Sequence, residues 1–154
     1  MPDDPAGAAE PGPDRPRLLL AHPWPVLAAI SAGGVLGALS RAVLTRRFPA
    51  GHGGFAWTTF AINVTGCLLI GGLMVLVTQV WTGRRLLRPF LGTGVLGGYT
   101  TFSGYVVDAE RTVAAGSTGA AVGYLLVTPV AAVLAAYLGS RLTRWAISPR
   151  PRTR

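Results

Sequence analysis

The stretch Gly92–Tyr105, GTGVLGGYTTFSGY, decides the fold. It is uncharged and apolar enough for a membrane, yet Gly97-Gly98, Thr100-Thr101 and Gly104 weaken a helix, each Gly by up to ~1 kcal/mol relative to Ala. A break at membrane depth survives only where the freed backbone is buried in protein or lines a cavity. One outcome is a glycine-lubricated packing helix. The other is a set of carbonyl oxygens able to hold a hard monovalent cation, as in the unwound helices of transporters.

The chain around this stretch has 154 residues, half of them hydrophobic and only 13% charged, against roughly 25% in ordinary soluble proteins. That composition belongs to a bilayer. Carboxylates fall at Asp3, Asp4, Glu10 and Asp14, then at Asp108 and Glu110 in what reads as a short connection, with none from Arg15 to Val107. All fourteen basic residues are Arg. The net charge of +8 resides in arginines scattered at segment ends, which fits membrane flanking and not a nucleic-acid partner. Cys67 has no second cysteine to pair with, and His22 and His52 stand alone, so neither a disulfide nor a zinc site is expected.

Working outward, residues 1–24 read as a disordered tail without the basic start of a signal peptide. Residues 25–141 read as one membrane domain of four transmembrane helices, at about Pro25–Leu44, Phe55–Trp81, Pro89–Val107 and Ala120–Leu138, with the third broken. Residues 142–154 form a basic C-terminal tail, which anionic lipid would attract. Ten arginines lie on the side holding both termini and the second connection, against three on the other side, or four with Arg41. The excess predicts a multi-pass protein of the cell membrane with both termini cytoplasmic.

Thr59, Asn63 and Gly66 share one face of the second segment at i, i+4 and i+7. They can be helix–helix glue. They can equally line a pore, because an unpartnered carboxamide in hydrocarbon costs several kcal/mol and Asn63 must face protein or water. Phe102 and Tyr105 also share a face, where their ring edges would attract an anion without a fixed ion pair. Arg41 can snorkel to the interface, pair with backbone carbonyls, or place positive potential at an entrance.

Together these pieces resemble the fluoride channel family, Fluc or CrcB, over residues 30–140. Gly33-Gly34-x-x-Gly37-Ala38-x-x-Arg41 is similar to its first-helix motif, and Thr59-x-x-x-Asn63-x-x-Gly66 to its second. Gly97-Gly98-x-Thr100-Thr101-Phe102-Ser103 resembles its broken third helix, and Tyr124-x-x-x-Thr128 its fourth. The resemblance implies an all-α antiparallel dimer with two fluoride pores and one structural sodium ion, held by backbone carbonyls of Gly97 and Thr100 from each subunit. It implies that Asn63 donates to fluoride and Phe102 stands edge-on, with Thr59, Ser103, Tyr124 and Thr128 adding polar groups. Passive export of cytoplasmic fluoride is the implied role.

The chain departs from that pattern at three places. Tyr105 stands where the family usually has a second pore Phe, Gly104 where it has Thr, and Thr58 where it has Gly. The arginine bias also argues for a single orientation, and hence for a heterodimer with a homologous subunit inserted the other way, whereas a dual-topology homodimer would have nearly balanced arginines. A nonconducting subunit that only packs against a partner is the rival of a different class. A proton-coupled transporter lacks its membrane carboxylate, and an enzyme lacks a nucleophile–base pair or metal cluster.

Overall fold

Helix α1 spans Trp24–Arg47, α2 Trp57–Gln79 and α5 Thr118–Ile147 in the computed structural model, which describes residues 23–49 and 54–148. Of the tail expected over 1–24, Trp24 already belongs to α1, while residues 1–22, with His22, lie outside the described residues, as do 50–53, with His52, and 149–154. By length and composition each of the three helices can cross a membrane. α5 continues to Ile147, past the expected boundary at 141, so the basic tail starts as the end of that helix.

Between α2 and α5 the third segment is divided. A π-helical run over Arg88–Leu96 leads into the single turn α3, Gly97–Tyr99. Thr100 (φ −74°, ψ 157°) and Thr101 (φ −147°, ψ 123°) are then extended, and α4 resumes over Phe102–Ala114. The Thr101 hydroxyl starts α4 by accepting from the Gly104 amide at 2.9 Å, the bond that favours Thr at an N-cap.

The expected end of this segment near Val107, with Asp108 and Glu110 in a connection, is corrected: both acids lie within α4. Tyr105, Ala109 and Thr112 recur at helical spacing and are buried, which carries the helix onward. The chain turns instead at Gly116, whose φ of +81° suits glycine, while the Ser117 amide bonds back to the Thr112 carbonyl.

Two glycine seams assemble these elements. α2 lies along α5, where a Cβ on Gly139 would fall on the Leu68 carbonyl and one on Gly71 on the Ala136 carbonyl. α1 packs on the π-helical run and α3, where Gly33 and Gly37 meet the carbonyls of Phe90 and Val95. Small residues let membrane helices approach to backbone contact, which substitutes for the hydrophobic driving force that lipid removes. An aromatic cluster of Tyr105 and Tyr124 with Ala56 and Ala109, flanked by Phe55 and Phe60, ties α4 and α5 to the start of α2.

Candidate functional site

The extended Thr100-Thr101 pair frees backbone groups that a continuous helix would have paired, and each needs a partner at this depth. The Thr101 amide donates to Asn63 Oδ1 at 2.9 Å, while Asn63 Nδ2 donates to the Thr101 carbonyl at 3.0 Å. Arg41 Nε donates to the Gly98 carbonyl at 3.1 Å. The carbonyl oxygens of Gly97 and Thr100 accept no hydrogen bond among the described residues. The Tyr99 carbonyl is likewise unclaimed, so the oxygens of Gly97, Tyr99 and Thr100 remain free in the break among the described residues, all on neutral backbone.

The face of α2 read from the sequence meets the broken segment along its length. Gly66 leaves room for the Thr100 methyl and the Tyr99 ring. One turn on, Asn63 clasps Thr101 with both ends of its carboxamide. Another turn on, the Thr59 hydroxyl donates to Asp108 Oδ2 at 2.5 Å. Asn63 is buried and retains one amide hydrogen beyond its bond to Thr101.

Beside the break, Asn63, Cys67, Phe102 and Thr128 share a cavity of about 340 Å³ with Tyr105 and Pro129. Phe102 is 79% exposed in the single chain, its ring 5.8 Å from that of Tyr105. Ser103 is exposed, with its hydroxyl 3.4 Å from that of Thr101. Tyr105 is buried, and its hydroxyl donates to the Leu125 carbonyl at 2.6 Å. Tyr124 lies 5.1 Å from Tyr105 and 5.0 Å from Phe55, ring to ring. The hydroxyls of Tyr124 and Thr128 are buried and have no hydrogen-bond partner among the described residues. Leaving such a donor unpaired costs about 1–3 kcal/mol, so these two groups are suited to a small acceptor.

Asp108 is the site residue that sequence reasoning missed. Assigned to a connection, it instead projects from α4 onto Thr59, and its carboxylate is largely covered, with Arg111 at 3.8 Å on the exposed side. The available signal was Thr112, whose place at i+7 from Tyr105 already continued the helical face past Val107. With its only proton on Asp108, the Thr59 hydroxyl donates to nothing else.

Of the roles open to Arg41, the structure shows it paired with a backbone carbonyl. Gly33, Gly37 and Arg41 lie on one face of α1 at four-residue intervals. The two glycines bring α1 close enough for the guanidinium to reach Gly98. Arg41→Met should leave that carbonyl unpaired and destabilise the fold by about 1–3 kcal/mol, read as a lower thermal unfolding midpoint in detergent.

Residues 28–140 match the family described as CrcB-like protein, Camphor Resistance (CrcB). The fluoride-specific ion channel FluC 2 of Nocardia farcinica is 49% identical over 121 residues, covering 79% of this chain and 86% of its own. The chain belongs to the CrcB family. Fluoride-specific ion channel FluC 1 of Streptomyces coelicolor is 46% identical over 125 residues, with 79% and 81% covered. FluC 2 of Streptomyces avermitilis is 46% identical over 129 residues, with 80% and 82% covered. The CrcB relatives are named as ion channels, so the chain is a membrane protein of a channel family and not an enzyme. The CrcB match takes in α2, the divided segment and most of α1 and α5, and so includes every residue of the break and its partners.

Proposed function

We propose that the chain is a fluoride-selective passive channel that exports cytoplasmic fluoride and relieves its toxicity. The observation that carries this reading is the buried, unpartnered hydroxyl of Thr128 on the cavity beside the break, in a chain whose relatives are named for fluoride. Fluoride is small and tightly hydrated, so a pore has to replace its water with close O–H and N–H donors. Thr128, the remaining Asn63 amide hydrogen and Ser103 supply donors near the edge of Phe102, and Tyr124 extends them along α5. The ring of Tyr105 lines the proposed path, while Thr59, expected there from the sequence, has its proton on Asp108 and supplies no donor to it.

In this reading the π-helical run, α3 and α4 together form a third, broken span, giving four spans in all. Two such subunits pair antiparallel and present Phe102, uncovered in the single chain, to a shared path. A structural sodium ion fits the break, because Gly97 and Thr100 have carbonyl oxygens with no other partner and hard cations take oxygen ligands. When bound, it supplies fixed positive charge at the centre of the dimer and is not transported.

The arginine distribution favours a second element, a partner of opposite orientation. Ten arginines on the proposed cytoplasmic side, which holds both termini, imply one fixed insertion. Streptomyces avermitilis supplies two relatives, FluC 2 and FluC 3, so more than one such chain occurs within one organism of the family, as a partner of opposite orientation would require.

Proteoliposomes test the whole reading. Loaded with potassium fluoride and opened to charge balance with a potassium ionophore, they should release fluoride at a rate far above protein-free vesicles, and should retain chloride. Replacing sodium by potassium on both sides should slow release. If the chain needs its partner, efflux appears only when a homologous subunit is co-reconstituted. No fluoride efflux in either preparation would overturn the channel, and sodium-dependent efflux from the chain alone would overturn the obligate partner.

A further inference from the structure

Pro129 lies inside α5. Without an amide hydrogen it cannot donate to the carbonyl four residues earlier, and an orphaned carbonyl at membrane depth needs another donor. That carbonyl belongs to Leu125. It accepts from the Tyr105 hydroxyl at 2.6 Å, a bond that crosses from α4 to α5.

A phenol carries a single proton to donate. In Tyr105 that proton is committed to Leu125, which is not among the residues lining the cavity that holds Asn63, Phe102 and Thr128. The ring of Tyr105 lies between those of Phe102 and Tyr124, with centroids 5.8 and 5.1 Å away. A phenylalanine would keep both ring contacts and lose only the bond to Leu125.

We infer that the Tyr105 hydroxyl stands in for the amide hydrogen that Pro129 lacks, and that Tyr105 is a positioning residue, not an anion donor. It anchors α4 to α5 and so fixes Phe102, one turn earlier on the same helix. The pair accounts for a tyrosine where the family usually has Phe: the oxygen of Tyr105 completes α5. Its consequence for conduction rests on the channel reading above, whereas the hydrogen-bond exchange itself does not.

A double-mutant cycle tests this. Tyr105→Phe should lower the thermal unfolding midpoint of the full chain in detergent by roughly 2–4 °C. Pro129→Ala supplies an amide to Leu125 within α5, so adding Tyr105→Phe to it should shift the midpoint by less than half as much. Fluoride efflux should fall with Tyr105→Phe only in the Pro129 background, and recover when Pro129→Ala is added. Equal midpoint shifts in both backgrounds would overturn the inference, because a packing role does not depend on Pro129. So would an efflux defect that persists in the double variant with an unchanged midpoint, as expected of a direct donor. Should Pro129→Ala not accumulate, Pro129→Leu supplies the same amide with more apolar bulk. If no form conducts, the channel reading falls while the midpoints still decide the exchange.

Discussion

Asn63→Asp is expected to abolish fluoride efflux and to loosen the break at the same time. The carboxamide meets Thr101 with a donor on one side and an acceptor on the other. An aspartate keeps the acceptor but sets a second oxygen against the Thr101 carbonyl, replacing a hydrogen bond by repulsion. It also removes the remaining amide hydrogen from the proposed path and puts a negative charge in its place. The combined loss is on the order of 3 kcal/mol, so efflux should fall by at least ~100-fold. Proteoliposome flux measures the first effect and the unfolding midpoint in detergent measures the second. Normal efflux would remove Asn63 from the path, and an unchanged midpoint would mean that the clasp on Thr101 does not hold the break.

Gly37→Ala should prove nearly as damaging, although it adds one methyl group at a residue outside the proposed path. A Cβ there would run into the Val95 carbonyl, with the Tyr99 amide nitrogen at 2.7 Å and the Val95 carbonyl carbon at 2.9 Å. All of these atoms are backbone, so no side-chain rotation relieves the clash and α1 has to move away. That also withdraws Arg41 from Gly98. The expected loss reaches or exceeds ~3 kcal/mol, the upper part of the range for overpacking, and should appear as little folded protein after extraction. Gly34→Ala is the internal control. Nothing lies within 4 Å of a Cβ at that position, so the substitution should hold or raise stability, by up to ~1 kcal/mol of helix propensity. Equal outcomes at 34 and 37 would refute the seam.

Much of this molecule was legible in the sequence, and the legible part has a common physical origin. The apolar runs for α1, α2 and α5 announced themselves because a bilayer tolerates so few charges. A weak helix within Gly92–Tyr105 was legible from its density of glycine and β-branched residues, but not its position: Gly97-Gly98 stay helical and the chain is extended at Thr100-Thr101. The face bearing Thr59, Asn63 and Gly66 followed from helical spacing, and the structure lays that face along the broken segment.

Tertiary partners were not legible. Asp108 was assigned to a connection because an acidic residue reads as a boundary, and only Thr59 on α2 reveals why it sits inside a helix. The role of the Tyr105 hydroxyl was not legible because its acceptor, a carbonyl freed by Pro129, is twenty residues away in sequence. Gly104 read as a missing Thr. In the structure a Cβ there would lie 2.8 Å from the Thr101 methyl, so its absence leaves room for the hydroxyl that caps α4.

The π-helical run over Arg88–Leu96 bears on how this chain is compared with its relatives. A π-helix advances by wider turns than an α-helix, so a helical wheel drawn at one constant period through residues 88–99 assigns the wrong faces. Faces have to be counted afresh from Gly97. Removing or adding one residue within the run would rotate Gly94 and Gly98 relative to the α1 seam, where each meets backbone of Ile30, Gly33 or Gly34. A gap there in an alignment is therefore a change of register, and two sequences that differ by it present different surfaces even where their letters agree.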